Sequence, residues 1–117
     1  MVIERSKTGY NNEIIESIKN IILDTASKGI IDTIYLFGSY AYGIPNKNSD
    51  IDIFVIIDDY SDRLSEYAKI KMKLRRCNIR LCDLVLSKNY DFYESIKINK
   101  NGIENRIFTN GKILYEK

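Results

Sequence analysis

The chain has 117 residues, 18 Lys plus Arg against 16 Asp plus Glu, and a formal net charge of +2. That length fits one compact domain over residues 1–117, and near-neutral charge argues against nonspecific binding to nucleic acid or to an anionic membrane. The absence of histidine excludes Ser-His-Asp and Cys-His catalysis, a histidine base, and every zinc site that needs an imidazole; carboxylates, hydroxyls, lysines and backbone remain.

The elements read as follows in chain order. The segment Met1 to Glu13 mixes charged and polar residues and has no apolar signal core, and no apolar run approaches the roughly 18 residues of a membrane span. A soluble, cytoplasmic protein is expected. Ile14, Ile15, Ile18, Ile21 and Ile22 recur at helical spacing, which predicts a helix from Asn12 to Ser27, capped by Asn11 or Asn12 and stopped near Gly29. Ile30 to Phe37 is a short β-branched and aromatic run, a first strand ending at Gly38-Ser39. Gly43 to Asn48, with Pro45, is a loop.

Asp50 to Ile57 predicts a second strand that enters from solvent and ends in the core. Ser61 to Arg76 is a helix with Ser61 as its cap, although Lys69 to Leu74 also alternates like a strand. Ile79 to Leu86 is a third strand, Asn89 to Ile98 and Ile103 to Thr109 are helical, and Ile113 to Tyr115 could add an edge strand. The fold class is α+β, a small mixed β-sheet flanked by helices. Cys77 and Cys82, five positions apart, match no zinc or redox spacing and read as buried or half-buried thiols.

The chemistry concentrates in Leu36-Phe-Gly-Ser-Tyr-Ala-Tyr-Gly43 and Ser49-Asp-Ile-Asp-Ile-Phe-Val55. Gly38 lacks a side chain, so the backbone can approach another group closely there. Ser39 sits where a short helix could begin, with free backbone N–H groups suited to phosphate oxygens. Asp50 and Asp52 lie two apart on a strand and so share a face, with Cα atoms about 6.6 Å apart. Carboxylates so placed can grip a pair of divalent cations, and magnesium favours carboxylates together with substrate phosphates. Asp83 lies inside the otherwise apolar third strand, where an unpaired buried carboxylate would be costly without a partner or a metal. Should that strand lie beside the second, Asp83 would approach the other two acids and could accept a proton from an attacking hydroxyl.

Gly38-Ser39, ten residues, then Asp50-x-Asp52 resembles the signature of the DNA polymerase β-like nucleotidyltransferase superfamily. With each fixed residue at roughly 5–7 %, the pattern arises by chance in about one chain in a thousand of this length. The resemblance spans nearly the whole chain and is to the minimal nucleotidyltransferases, a likeness that extends to Gly111-Lys-Ile-Leu-Tyr-Glu116. It implies the polymerase β-like fold, ATP as substrate and two Mg2+ ions. It also implies nucleotide contacts from Gly38, Ser39, Tyr40, Gly43 and Ser49, metal binding by Asp50, Asp52 and Asp83, and catalysis by the same three acids. Many relatives carry arginines where this chain has Tyr40 and Tyr42.

The resemblance further implies a HEPN-type toxin as partner. Small members form toxin–antitoxin pairs in which the nucleotidyltransferase adenylylates a toxin tyrosine. A chain of this size has no room for a nucleic-acid-holding domain or a pocket-closing helical half, so a protein acceptor is expected and nucleic acid is not; homo- or hetero-oligomers are open. Two other readings stand beside it. One is a non-catalytic antitoxin that neutralises its partner by complex formation, and the other is a small-molecule, aminoglycoside-type nucleotidyltransferase. Blander readings exist for single features: an ordinary turn at Gly38-Ser39, and for Asp83 a pairing with Arg80 or a lysine. The run Lys69, Lys71, Lys73, Arg75, Arg76 reads as a solvated helix face, and Asp58, Asp59 and Asp62 as a solvated loop.

Overall fold

The structure is a computed structural model that describes residues 2–38, 50–80 and 82–117, with side chains described from residue 12 onward within them. Its elements are α1 (Val2–Thr25), β1 (Ile31–Phe37), β2 (Ile51–Ile57), α2 (Arg63–Arg76), β3 (Cys82–Lys88), α3 (Asn89–Ile98), α4 (Ile103–Asn110) and β4 (Lys112–Glu116). The strands form one mixed sheet in the order β3-β2-β1-β4. β1 runs antiparallel to both β2 and β4, and β2 runs parallel to β3. The parallel pair needs a crossover, and α2 supplies it.

Period-two alternation divides the sheet's side chains between two cores. Ile51, Ile53, Val55 and Ile57 of β2 point with Cys82, Leu84 and Leu86 of β3 into a large cluster with Ile15, Ile18 and Ile22 of α1 and Ile70 and Leu74 of α2. Phe54 and Ile56 point the other way, joining Tyr35, Phe92 and Ile107 beneath α3 and α4. Phe92 is fully buried there, with its ring 5.3 Å from Phe54 and 6.1 Å from Tyr35. β2 thus enters from exposed Asp50 and is buried on both faces from Ile53 onward, as its hydrophobic pattern predicts.

Several boundaries differ from the sequence expectation. α1 begins at Val2 rather than at Asn12, because a helix nucleated by the isoleucine face extends at little cost through polar residues with no periodicity of their own. The cap of α2 is Asp62, not Ser61: its side chain accepts from the backbone N–H of Ser65 at 3.2 Å, while Ser61 Oγ donates to Asp58. Asp59 is also more than a solvated loop residue, since it accepts the N–H of Tyr90 (2.8 Å) in the first turn of α3. β3 starts at Cys82 rather than Ile79 because Ile79 closes the end of α2. Its N–H donates to Leu74 (2.9 Å) and that of Asn78 to Arg75 (3.0 Å), a Schellman motif with Asn78 left-handed at φ 63°. Both cysteines are free, with Cys82 buried and Cys77 exposed, against the expectation that both would be covered. Among the described residues no helix is long and apolar enough to cross a membrane.

Candidate active site

The register of the sheet assembles the acids. Asp52 is the Cα partner of Asp83 across the parallel β2–β3 pair, and Phe37 is the partner of Asp52 across the antiparallel β1–β2 pair. Phe37, Asp52 and Asp83 therefore form one row at the end of the sheet. The next row inward is Tyr35, Phe54 and Val85, and alternation keeps both rows on the α3–α4 side. Asp50 stands one residue before β2, exposed, on the face of Asp52. β3 lies beside β2, as expected from the sequence.

Gly38 follows directly. It has φ +75°, a left-handed conformation that L side chains rarely adopt, and a Cβ placed there would overlap Oδ2 of Asp52 and stand 3.1 Å from its Cγ. The group that the bare backbone approaches is thus the half-buried aspartate itself, and the Gly38 backbone forms the wall behind it.

Electrostatics mark Asp52 as the focus. Burial first, then the charges of Asp83 and Asp50, then a side-chain hydrogen bond with Asp83, all push its carboxyl above the ordinary aspartate range. The same acids reach the neighbouring thiol. Cys82 is pushed up to about 11, first by burial, against a lowering pull from Lys71, with Asp83, Asp52 and Asp50 adding to the rise. Cys82 is therefore a neutral packing group, which removes it as a nucleophile.

Asp83 differs from the sequence expectation in its burial. Asp83 is exposed and is the second residue of β3 rather than a buried carboxylate in mid-strand. β3 is an edge strand whose residues alternate buried and exposed, so burial cost does not single Asp83 out. Its position opposite Asp52 does. No salt bridge to Arg80 or a lysine neutralises it among the described residues, where the ion pairs are Lys19–Glu16, Lys69–Glu66 and Lys97–Glu94.

Whether these residues suit a divalent cation can be judged from the donor set. Among the described residues, no three acids or thiols are grouped closely enough to form a ready cage. Magnesium does not need one, since it is commonly held by one or two carboxylates together with substrate phosphates and water. Asp52 and Asp83 supply hard oxygen donors already crowded by like charge, and a cation would relieve that crowding. The fit is good for a metal that arrives with its substrate.

Of the other sequence-predicted nucleotide contacts, Ser39, Tyr40, Gly43 and Ser49 lie outside the described residues, as do Tyr42 and the loop around Pro45. Sequence reading missed the place of Lys71. It is not simply part of a solvated face: it is half-buried, and its Nζ lies 3.5 Å from the carbonyl oxygen of Cys82, the residue before Asp83. The available signal was its position beside Ile70 and Leu74, the two core residues of that turn.

Comparison with known proteins follows the same lines. A family model described as "Polymerase beta, Nucleotidyltransferase" matches residues 13–117. Among solved structures, "the toxin-antitoxin with AMP-PNP" is similar with a TM-score of 0.58 and 28% identity, over 87% of this chain and 73% of that one. A tyrosine-to-alanine mutant of "the toxin-antitoxin MntA-HpeT" gives 0.54 and 27% identity over 92% and 72% of the two chains. A double aspartate-to-glutamate mutant of the same pair gives 0.55 and 22% identity over 87% and 73%, a likeness of fold. No curated protein sequence matches.

Proposed function

This chain belongs to the polymerase beta nucleotidyltransferase family, and we propose that it is the antitoxin of a toxin–antitoxin pair that moves AMP from ATP to a hydroxyl of its partner, a tyrosine of a HEPN-type toxin. The observation that carries the reading is the pairing of Asp52 with Asp83 across β2 and β3, backed by Gly38. Support for an adenine nucleotide and a protein partner comes from the similar toxin–antitoxin structure solved with AMP-PNP, an ATP analogue. In this reading residues 1–117 act as one nucleotidyltransferase domain in the cytoplasm.

The residues divide the work by position. Asp52 and Asp83, joined by Asp50, hold Mg2+, with two ions in the full complex. Mg2+ held by these acids would supply neutralisation of the triphosphate charge, and the acids would position it for in-line transfer of AMP to the acceptor hydroxyl with pyrophosphate as leaving group. Gly38 keeps the floor of the site open so that the carboxylate of Asp52 is not displaced. Ser39, Tyr40, Gly43 and Ser49 are assigned to the nucleotide, with Tyr40 able to stack on the base. Asp83 is the exposed member of the pair and so the one that an incoming hydroxyl meets, which suits it to take up the proton.

Incubation with ATP, Mg2+ and the product of the adjacent reading frame, followed by intact-mass measurement, tests this. A gain of one adenylyl mass on the partner, abolished by Asp52→Ala, is expected. A tight complex with no mass gain overturns it in favour of neutralisation by binding alone. That second reading is favoured by one feature of the sequence, Tyr40 and Tyr42 where many relatives carry arginines.

A further inference from the structure

α2 has a face that the catalytic reading does not use. Leu64, Ala68 and Met72 lie at i, i+4 and i+8, which places them in one line on the helix surface. All three face solvent, Leu64 at 67% and Met72 at 52% relative exposure. The line is about 12 Å long at 1.5 Å per residue. Its flanks carry only positive charge. Lys71 and Arg75 border one side and Lys69 and Lys73 the other, while Arg76, four residues after Met72, closes the C-terminal end of the line. The one acid inside the helix, Glu66, is buried on the opposite side, where it binds Ser27 and Lys69. Among the described residues no acid pairs with Lys71, Lys73, Arg75 or Arg76.

Cations in the last turn of a helix are favoured by its dipole, which accounts for Lys73, Arg75 and Arg76. It does not account for an exposed leucine and methionine aligned between them. An apolar line rimmed by charge of a single sign is the pattern of one half of a helix–helix contact. We propose that this face of α2 is a docking surface for an amphipathic helix of a protein partner, with leucine-like side chains on the seam and Glu or Asp on both flanks. Charge complementarity selects the occupant: an acidic helix satisfies cations that the chain itself leaves without acids. RNA would use the cations but would gain nothing from Leu64 and Met72, and a second copy of this chain offers an equally basic α2.

The surface also has a place relative to the site. α2 runs back from the far end of β2, and Lys71 meets Cys82 beside Asp83. A helix seated along the seam therefore lies on the outer side of α2, away from the sheet face that carries Asp83. The inference extends the proposed function by naming where a partner sits, but it does not depend on transfer chemistry.

The test uses the full chain and a fluorescein-labelled peptide probe, a three-heptad helix with leucine at its a and d positions and glutamate at e and g. Saturable binding that weakens with salt is expected. Met72→Asp and the pair Arg75→Glu with Arg76→Glu should each weaken it by roughly tenfold, the loss typical of removing an interface anchor, with unchanged circular dichroism because these residues are exposed. Asp83→Ala should bind the probe normally, so failure of catalysis and failure of this surface are separable. The proposal is overturned if the probe does not bind, if a lysine-for-glutamate version of it binds equally well, or if Met72→Asp has no effect. It is equally overturned if the pair of charge reversals abolishes binding to bulk transfer RNA at physiological salt while the peptide is ignored, or if sedimentation shows wild-type dimers that Met72→Asp dissolves.

Discussion

Gly38 and Asp52 occupy adjoining space such that neither position tolerates enlargement: the volume that a Cβ at Gly38 would need is already filled by the Asp52 carboxylate. Phe37, the residue before that glycine, is the register partner of Asp52. Gly38 and the acid on β2 are therefore one unit, built by the antiparallel pairing of β1 with β2.

Gly38→Ala should accordingly damage both stability and site. A left-handed alanine costs about 1–2 kcal/mol by itself, and the overlap with Asp52 adds to that. Urea denaturation should show a loss of at least about 1 kcal/mol, and Mn2+ binding followed by its electron paramagnetic signal should weaken in the same variant. Unchanged stability would show that the turn relaxes freely.

Asp52→Asn should stabilise the metal-free protein at neutral pH. Burial and the charges of Asp83 and Asp50 raise the carboxyl of Asp52, so the folded state binds its proton more tightly than the unfolded state does. Stability is then lost as the pH rises through the raised value, and the asparagine escapes this loss. Thermal melts in EDTA should show the higher melting temperature for the variant at pH 7, with the gap closing toward the ordinary aspartate range. Added Mn2+ should stabilise the wild type and not the variant, narrowing the gap from the other side.

Glu66 gives the opposite sign. Burial pushes its carboxyl up, but hydrogen bonds from the Ser27 hydroxyl (2.5 Å) and N–H (3.0 Å) and from Lys69, with the Lys69 charge, outweigh it and hold the group below the usual glutamate range. Its contribution is complete at neutral pH and is lost as the pH falls through the lowered value. Glu66→Ala leaves the Ser27 N–H without its acceptor and should cost about 1–3 kcal/mol at pH 7. The difference from wild type should shrink in acid, and denaturation curves at pH 7 and pH 3 check both statements.

Asn78 closes α2 in a left-handed conformation, so Asn78→Ala should cost about 1 kcal/mol or more, whereas Asn78→Gly should be neutral to stabilising. Urea midpoints for the pair of variants test whether the turn into β3 is set by backbone strain.

Sequence reading reached the site because its parts are local. The pattern from Gly38-Ser39 to Asp50-x-Asp52 fixes spacing along the chain, and strand alternation alone puts Asp50 and Asp52 on one face. The helix of Asn89–Ile98 and the strand over Ile31–Phe37 were likewise legible, because hydrophobic periodicity and the flanking turns agree. The start of α1 was not, since residues 2–11 carry no apolar period and their helicity depends on extension from a packed segment. Nor was the cap of α2, where Ser61 and Asp62 both suit the role and the competing bond from Ser61 to Asp58 decides between them.

By itself, then, the amino-acid order determined which acids are available, the face that two of them share, and the glycine needed beside them. Tertiary structure alone decided that Asp83 stands opposite Asp52, that it does so exposed on an edge, and that Leu64 and Met72 are left uncovered. The reason is physical: periodicity reports which side of its own element a residue occupies. Which elements become neighbours is settled by the parallel register of β2 and β3 and by the packing of α2 across the sheet, interactions between residues tens of positions apart.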